Sequence, residues 1–330
     1  MAKLDLTMAT WDYDRIRAIS DGSISPDGID LNCLTLPMEE TFFRMVRYHE
    51  FDVAEMSLST YVISMFGEDP PFVAIPVFPS RSFRHSCIFV NKNSGIAAPS
   101  DLIGKRVGIP EYQLTACVWI RGILSDEYGV PNQSAIYYQG GEEEPGRIEK
   151  LSLSLPSSIN VNPIGPTQTL SQMLEDGEID AIYSPRTPST LSAGKNVRRL
   201  FDDYNEVEID YFKRTRIFPI MHVIAIRRDV YAKNPWVAQS LQKAMQLAQK
   251  KCYEDMRHTA ALKYMLPWLT YHEQRTREIM GEDFWPYGLG GDNRHVLETF
   301  LRYSYEQGMA KSILAPEDLF VPESLEVFKI

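Results

Sequence analysis

The sequence has few of the features that mark common cofactor and metal sites. Its 330 residues include four cysteines, Cys33, Cys87, Cys117 and Cys252, and no two form a CxxC pair. That spacing removes the usual zinc and dithiol signatures. Each cysteine sits among apolar residues, as a small buried hydrophobe in a reducing compartment does. The six histidines form no HExxH or His-x-His cluster. GxGxxG and Walker patterns are missing, and Gly288-Leu289-Gly290-Gly291 does not follow a strand as a dinucleotide fold requires. No stretch approaches the ~18 consecutive apolar residues of a membrane span, and no repeat of solenoid length is visible. Acids outnumber bases, 44 Asp and Glu against 34 Lys and Arg, for a net charge of −10. This excess argues against nucleic acid or an anionic membrane as the main partner. The opening MAKLDLTMATWDYD has no basic segment followed by a long apolar run. The expectation is therefore a chain without a signal peptide, working in the cytoplasm.

What is present reads as an ordinary globular chain, with 44% hydrophobic and 24% charged residues. Its length suggests two domains. Over the first hundred residues strands alternate with helices. KLDLTMA is a strand, Asp14 to Ile24 a helix, and Gly28 to Leu34 a second strand with period-two patterning. MEETFFRMVRYHE has helical spacing, with Phe42, Met45 and Val46 on one face, and Phe51 to Met56 is a third strand ending at Ser57. Such alternation implies a mostly parallel α/β sheet. The pattern resets near residue 84, where His85 to Asn91 reads as a strand. Ala98 to Pro110 gives a short helix and another strand, Glu111 to Tyr128 a helix and Ser134 to Tyr138 a strand. Glu142 to Pro166 reads as loop-rich, with its acidic triplet in a solvated loop. Thr169 to Glu175 is a helix and Glu178 to Tyr183 a strand that ends at Ser184-Pro185-Arg186-Thr187. A second reset comes at Phe218 to His222, and from Pro235 the chain is largely helical.

This order, with the DLIGKRVGIP turn, the LEDGEIDAIY helix–strand and the HVIAIRRDVYAKNPWV return segment, resembles the type II periplasmic-binding-protein fold. The resemblance implies an α/β, two-lobed architecture with an interlobe cleft. One lobe would comprise residues 1–84 and 222–330, and the second, inserted lobe residues 88–217. A narrower resemblance covers nearly the whole chain. TWDYDR, GGEEEPGR with Glu149-Lys150, GEIDA, WPYG followed by Asn293-Arg294, and FLRYSYEQG are similar to the 4,5-dihydroxyphthalate decarboxylase family. That family is cytoplasmic and catalytic, and the resemblance implies loss of CO₂ from 4,5-dihydroxyphthalate, or a closely related hydroxylated aromatic acid, to give protocatechuate.

Aryl decarboxylation faces a poor carbanion leaving group. Protonating the ring carbon that carries the carboxylate avoids it, with a para hydroxyl supplying electrons. Such a substrate needs no pyridoxal, flavin or thiamine, so the expected cofactor is none, and no metal is expected, although a catechol can still chelate one through scattered carboxylates. The reaction needs a cation for the remaining carboxylate, a base near the phenol and an acid near the ring carbon.

Ligands of open α/β sheets sit at the carboxyl ends of strands, and six segments meet that description. Trp11, Asp12 and Tyr13 follow the first strand and Ser57 the third. Arg81, Arg84 and His85 lie at the first crossover, Glu111 beside a helix start, Arg186 and Thr187 after a later strand, and His222 at the return crossover. His85, His222 and Glu111 are the proton-transfer candidates. His85 or His222 is otherwise a hinge histidine, and Glu111 a carboxylate favoured at a helix N-terminus. Arg81, Arg84 and Arg186 either grip substrate carboxylates or form surface salt bridges. Ser57 and Thr187 offer hydroxyl donors. Asp12 is otherwise a helix cap, and Trp11 and Tyr13 either stack on a ring or pack in the core.

The expected partner is a small aromatic dicarboxylate, with no nucleic acid and no membrane; a homo-oligomer is left open beside a monomer. The competing function is a non-catalytic aromatic-acid binding or sensor protein of the same fold. A further alternative is another cytoplasmic enzyme of this fold, such as a menaquinone-pathway dehydratase or the thiamine-pyrimidine synthase, whose cysteine-rich motif is absent.

Overall fold

The computed structural model describes residues 2–325. Met1 and residues 326–330, which the expected first lobe includes, lie outside the described residues. In chain order the strands are β1 (Leu4–Thr10), β2 (Ile29–Thr35), β3 (Val53–Ser57), β4 (Phe72–Ile75), β5 (Ile88–Asn91), β6 (Arg106–Ile109), β7 (Ile136–Gln139), β8 (Asn160–Pro163), β9 (Ala181–Tyr183), β10 (Val197–Arg199) and β11 (His222–Arg227). Two compact units divide them. The first holds the described residues up to Arg81, Ile220–Glu298 and those from Leu314 on; the second holds Ser82–Pro219 and Thr299–Ile313.

The first unit is built on a five-stranded sheet of order β2-β1-β3-β11-β4. β1 pairs parallel with both β2 and β3, and β11 runs antiparallel between β3 and β4. Leu6 and Met8 of β1 point into the same core as Val53, Ile224 and Ile226, as alternation along a strand requires. All five residues of β3 are buried, as in a central strand covered on both faces. Helix Trp236–Met256 covers the sheet with Val237, Leu241, Ala244, Met245 and Ala248, spaced by three and four residues. Burying each large apolar side chain stabilises the unit by about 1.5–3 kcal/mol. The connection from β1 leads to β2 on one side, while β3 lies on the other. The topological switch point, where open sheets leave a crevice, therefore falls between the carboxyl ends of β1 and β3.

The second unit has a six-stranded sheet of order β10-β5-β9-β6-β7-β8, with β9, β6, β7 and β8 parallel. By the same reasoning its switch point lies between β6 and β9. Phe89, Leu170, Leu174, Ile179 and Ile182 form a core on one face. Helix Thr115–Tyr128 is buried over most of its length and stops where Gly129 takes a φ of 65°. Residues 299–313 join this unit through buried polar contacts that strand order does not reveal. The Arg121 guanidinium lies 3.9 Å from the Tyr112 ring centroid, and its Nε donates to Gln307 Oε1 at 2.7 Å. Gln307 Nε2 donates in turn to the Val118 carbonyl at 2.9 Å.

Several elements differ from the sequence expectation. Residues 142–166 are loop-rich as expected, and within them Asn160–Pro163 adds the edge strand β8, which the sequence reading did not place. The strand expected from His85 begins at Ile88, since His85–Cys87 form a 3₁₀ turn. The helix expected from Glu111 begins at Thr115. No helix among the described residues is long and apolar enough to cross a membrane.

One glycine is fixed by packing. A Cβ on Gly122 would meet the Tyr303 ring at 2.1 Å. That ring stands edge-on to Trp119, and its hydroxyl donates to Asp126, so it has little room to yield. Helix propensity alone would make Gly122→Ala stabilising by about 1 kcal/mol. Overpacking opposes it by about 1–3 kcal/mol. Urea unfolding of Gly122→Ala is expected to show a net loss of stability; a gain would mean that Tyr303 is not held in place.

Candidate active site

The switch point of the first sheet carries a buried carboxylate. Glu55 sits in β3, is fully buried, and shares its strand face with the core residue Val53. Four donors converge on it. The Tyr13 hydroxyl donates to Oε1 at 2.6 Å, the Trp11 N–H to Oε2 at 3.1 Å and the Thr10 hydroxyl to Oε2 at 3.3 Å. His222 Nδ1 lies 2.5 Å from Oε1. Register explains the convergence. His222 opens β11 directly opposite Ser57, two residues beyond Glu55, and the residues after Ala9 continue past the end of β1 beside the same strand.

Burial alone would raise the Glu55 pKa. The His222 imidazole, the Tyr13 hydroxyl and the Trp11 N–H outweigh burial and hold the carboxyl below its ordinary value. Glu55 is thus ionised and accepts, so His222 Nδ1 carries the proton. Nε2 is left with no hydrogen-bond partner among the described residues. Phe42 packs edge-on against the imidazole, with ring centroids 4.8 Å apart. Burial and the Glu55 charge push the Tyr13 phenol well above its usual range, so it stays a donor.

The first unit therefore gathers Trp11, Tyr13, Ser57 and His222 of the expected residues around a group that sequence reading did not select. Ser57 is buried at the start of helix Leu58–Ser64. Asp12 lies apart, in an exposed pair with Arg17 at 3.0 Å. Arg81 is buried and donates to the Pro286 carbonyl at 2.8 Å and to Asn293 Oδ1. Asn293 Nδ2 donates to the carbonyls of Pro286 and Gly288, and Trp285 Nε1 to that of Phe78. Arg81 and Asn293 thereby pin the WPYG segment, and burial lowers the Arg81 pKa to about 9.

The second unit holds the remaining candidates. At the carboxyl end of β6, Glu111 is buried, with Oε1 receiving Arg147 at 2.7 Å and Lys150 at 2.6 Å. The Glu149 carboxylate accepts from the Tyr112 N–H at 2.8 Å. After β9, Ser184 is buried while Arg186 and Thr187 are exposed. Arg84 is buried, with one guanidinium N–H 3.5 Å from Cys87 Sγ. His85 lies among Tyr128, Phe201 and Tyr211, and neither ring nitrogen has a hydrogen-bond partner. Aromatic rings rather than polar groups surround this imidazole. Glu143 and Glu144 of the acidic triplet are exposed in a loop as expected, and its first member departs from that reading. Glu142 is buried, and Glu143 accepts from the hydroxyls of Ser171 and Ser189. Among the described residues, no three His, Cys, Asp or Glu side chains gather as metal ligands would.

Two open sheets, each with buried charge at its switch point, define a protein of the two-lobed periplasmic-binding-protein class. Solved structures agree on that fold. The putative periplasmic sulfonate-binding protein SsuA of Methylobacillus flagellatus has a TM-score of 0.56 at 13% identity, over 98% of this chain and 94% of that one. The desulfurization enzyme DSZB has a TM-score of 0.51 at 16% identity, over 98% of each chain. No protein-family model matches. The 4,5-dihydroxyphthalate decarboxylase of Comamonas testosteroni is 40% identical over 331 residues, covering all of both chains. The protein of the same name from Pseudomonas putida is 42% identical over 214 residues, 64% of this chain and 83% of that one. The chain belongs to the 4,5-dihydroxyphthalate decarboxylase family, whose members are carboxy-lyases.

The position of His85 carries a pH dependence. Burial, helped by the Arg214 charge, lowers its pKa from 6.5 to about 4. Because the folded value lies below the unfolded one, stability is fully present above pH 6.5 and falls as the pH drops toward 4. Between pH 7 and 4 this residue alone should remove roughly 3 kcal/mol. Urea unfolding of wild type and His85→Phe at both pH values is expected to show a smaller acid loss in the variant. Equal losses would mean that the imidazole is solvated.

Proposed function

We propose that the chain decarboxylates 4,5-dihydroxyphthalate, without oxidation, to protocatechuate and CO₂. Family membership supports the reaction, and one observation carries the chemistry: the buried 2.5 Å hydrogen bond between Glu55 and His222 at the switch point of the first sheet. A carboxylate behind Nδ1 fixes the imidazole's tautomer and orientation and stabilises its cation, leaving Nε2 to exchange a proton with substrate.

In this reading the hydroxyl para to the departing carboxylate gives up its proton and pushes electrons to the ring carbon. The His222 imidazolium protonates that carbon. The carbon–carboxylate bond then breaks, CO₂ leaves, and the bonding pair returns to the ring. Reprotonation of the phenoxide makes the overall reaction consume one proton. Tyr13 and the Trp11 N–H keep Glu55 ionised through the cycle. The four cysteines, none in a disulfide, suit a reducing compartment and support a cytoplasmic location.

Incubation with 4,5-dihydroxyphthalate is expected to release CO₂ and protocatechuate. His222→Asn and Glu55→Gln should each lower kcat by about 10²-fold or more while calorimetry shows substrate still bound. Saturable binding without turnover in the wild type would favour a binding protein. Turnover of His222→Asn within a few-fold of wild type would remove His222 from the chemistry.

A further inference from the structure

The second unit contains a carboxyl group that the chemistry above does not use. Glu142 follows β7 through Gly140 and Gly141. The turn is tight, since a Cβ on Gly141 would meet the Glu144 carbonyl oxygen at 1.6 Å. The backbone is held from helix Leu170–Asp176, where the Leu170 N–H donates to the Gly141 carbonyl at 2.9 Å and the Ser171 N–H to the Glu142 carbonyl at 3.0 Å. Glu142 is 6% exposed. Its Oε2 accepts a hydrogen bond from the hydroxyl of Ser184, the residue that follows β9. Its Oε1 is buried and has no hydrogen-bond partner. Native proteins rarely leave a buried polar oxygen unpaired, and one that persists calls for an explanation.

The charges around Glu142 constrain that explanation. Burial, with a smaller contribution from Glu143, pushes its pKa up to about 7, while the Ser184 hydroxyl, Arg186 and Arg147 oppose the rise. Glu143 itself is held away by Ser171 and by the N–H and hydroxyl of Ser189. A protonated Oε1 is a donor without an acceptor. A cationic ligand would meet Arg186 and Arg147 and could not use that proton. An anionic oxygen could accept it and gain from both arginines.

We propose that Glu142 holds a proton on Oε1 and donates it to a carboxylate of the bound aromatic acid, with Arg186 and Arg147 supplying positive charge beside it. The group recognised is thus an aryl carboxylate. Glu142 acts by binding and orienting it; the ring proton comes from elsewhere. This assignment rests on the decarboxylation reading for its choice of ligand, and it makes recognition depend on pH. Above the Glu142 pKa the carboxyl becomes an anion facing an anion, and affinity falls.

The test uses the full chain and phthalate, which keeps both carboxylates but lacks the hydroxyls that drive decarboxylation. Calorimetry from pH 6 to 9 is expected to show wild-type affinity falling by up to about tenfold per pH unit above the Glu142 pKa. Glu142→Gln stays neutral and keeps an N–H donor. It should bind within a few-fold of the wild-type value at pH 6 and show a flat profile. Glu142→Ala, checked for folding by circular dichroism, should bind about tenfold more weakly at pH 6. Wild-type affinity that is equal at pH 6 and 9, unchanged affinity in Glu142→Ala, or no phthalate binding at pH 6 would each overturn the proposal. Failure of the two readings can be told apart. Protocatechuate formation with pH-independent phthalate binding would reject the Glu142 assignment alone. The expected pH profile without protocatechuate formation would reject the reaction alone.

Discussion

An ionised carboxylate in the interior of a sheet constrains everything built around it. Glu55 has no path to water, and a buried carboxylate without partners would carry a penalty of several kcal/mol. Its four donors come from two directions, the end of β1 and the start of β11. Each depends on register. A one-residue slip of β11 against β3 would turn His222 to the opposite face and strand the carboxylate. The arrangement that lets Glu55 stay charged is therefore the same one that aligns the three central strands, and it delivers an oriented imidazole as a consequence.

The second unit handles buried charge in a different way. Glu111 is neutralised twice over, by Arg147 and Lys150, and Arg121 is capped by a ring and two acceptors. Glu142 has only Ser184 and is kept close to neutral by burial. Two carboxyls at one sheet end thus meet opposite surroundings, one between two cations and the other against a single hydroxyl. Motifs that carry the family resemblance acquire physical roles on the same basis. GGEEEPGR and Glu149-Lys150 supply the Glu142 turn, Arg147 and the partners of Glu111 and Tyr112, while WPYG and Asn293 form the clamp around Arg81.

Strand–helix alternation made the α/β class and the first three strands legible, because period-two and helical spacing are local properties. The family was legible from short motifs spread along the chain. Glu55 has a signal of its own in the sequence: in the strand Phe51 to Met56 it alternates with Val53, so a register that buries Val53 buries the acid with it. Its partner His222 is 167 residues away, and that pairing is a fact of topology. His85 is a candidate by its place at the first crossover beside Arg81 and Arg84. The rings that enclose it come from Tyr128, Phe201 and Tyr211, which local spacing does not bring to mind. The acidic triplet was read by composition as solvated, whereas Gly140 and Gly141 turn its first member inward. Arg186 and Thr187 follow β9 beyond its end at Tyr183, and they are exposed there.

The central claim is that Glu55 and His222 act as one proton-transfer unit. A double-mutant cycle on kcat tests it most directly, comparing Glu55→Gln, His222→Asn and the combined variant on 4,5-dihydroxyphthalate. If the two side chains work through each other, the double variant loses about as much as the more damaging single one, because removing either already disables the unit. If the losses multiply, the two residues contribute independently, and the account of Glu55 as the group that orients and charges His222 is wrong.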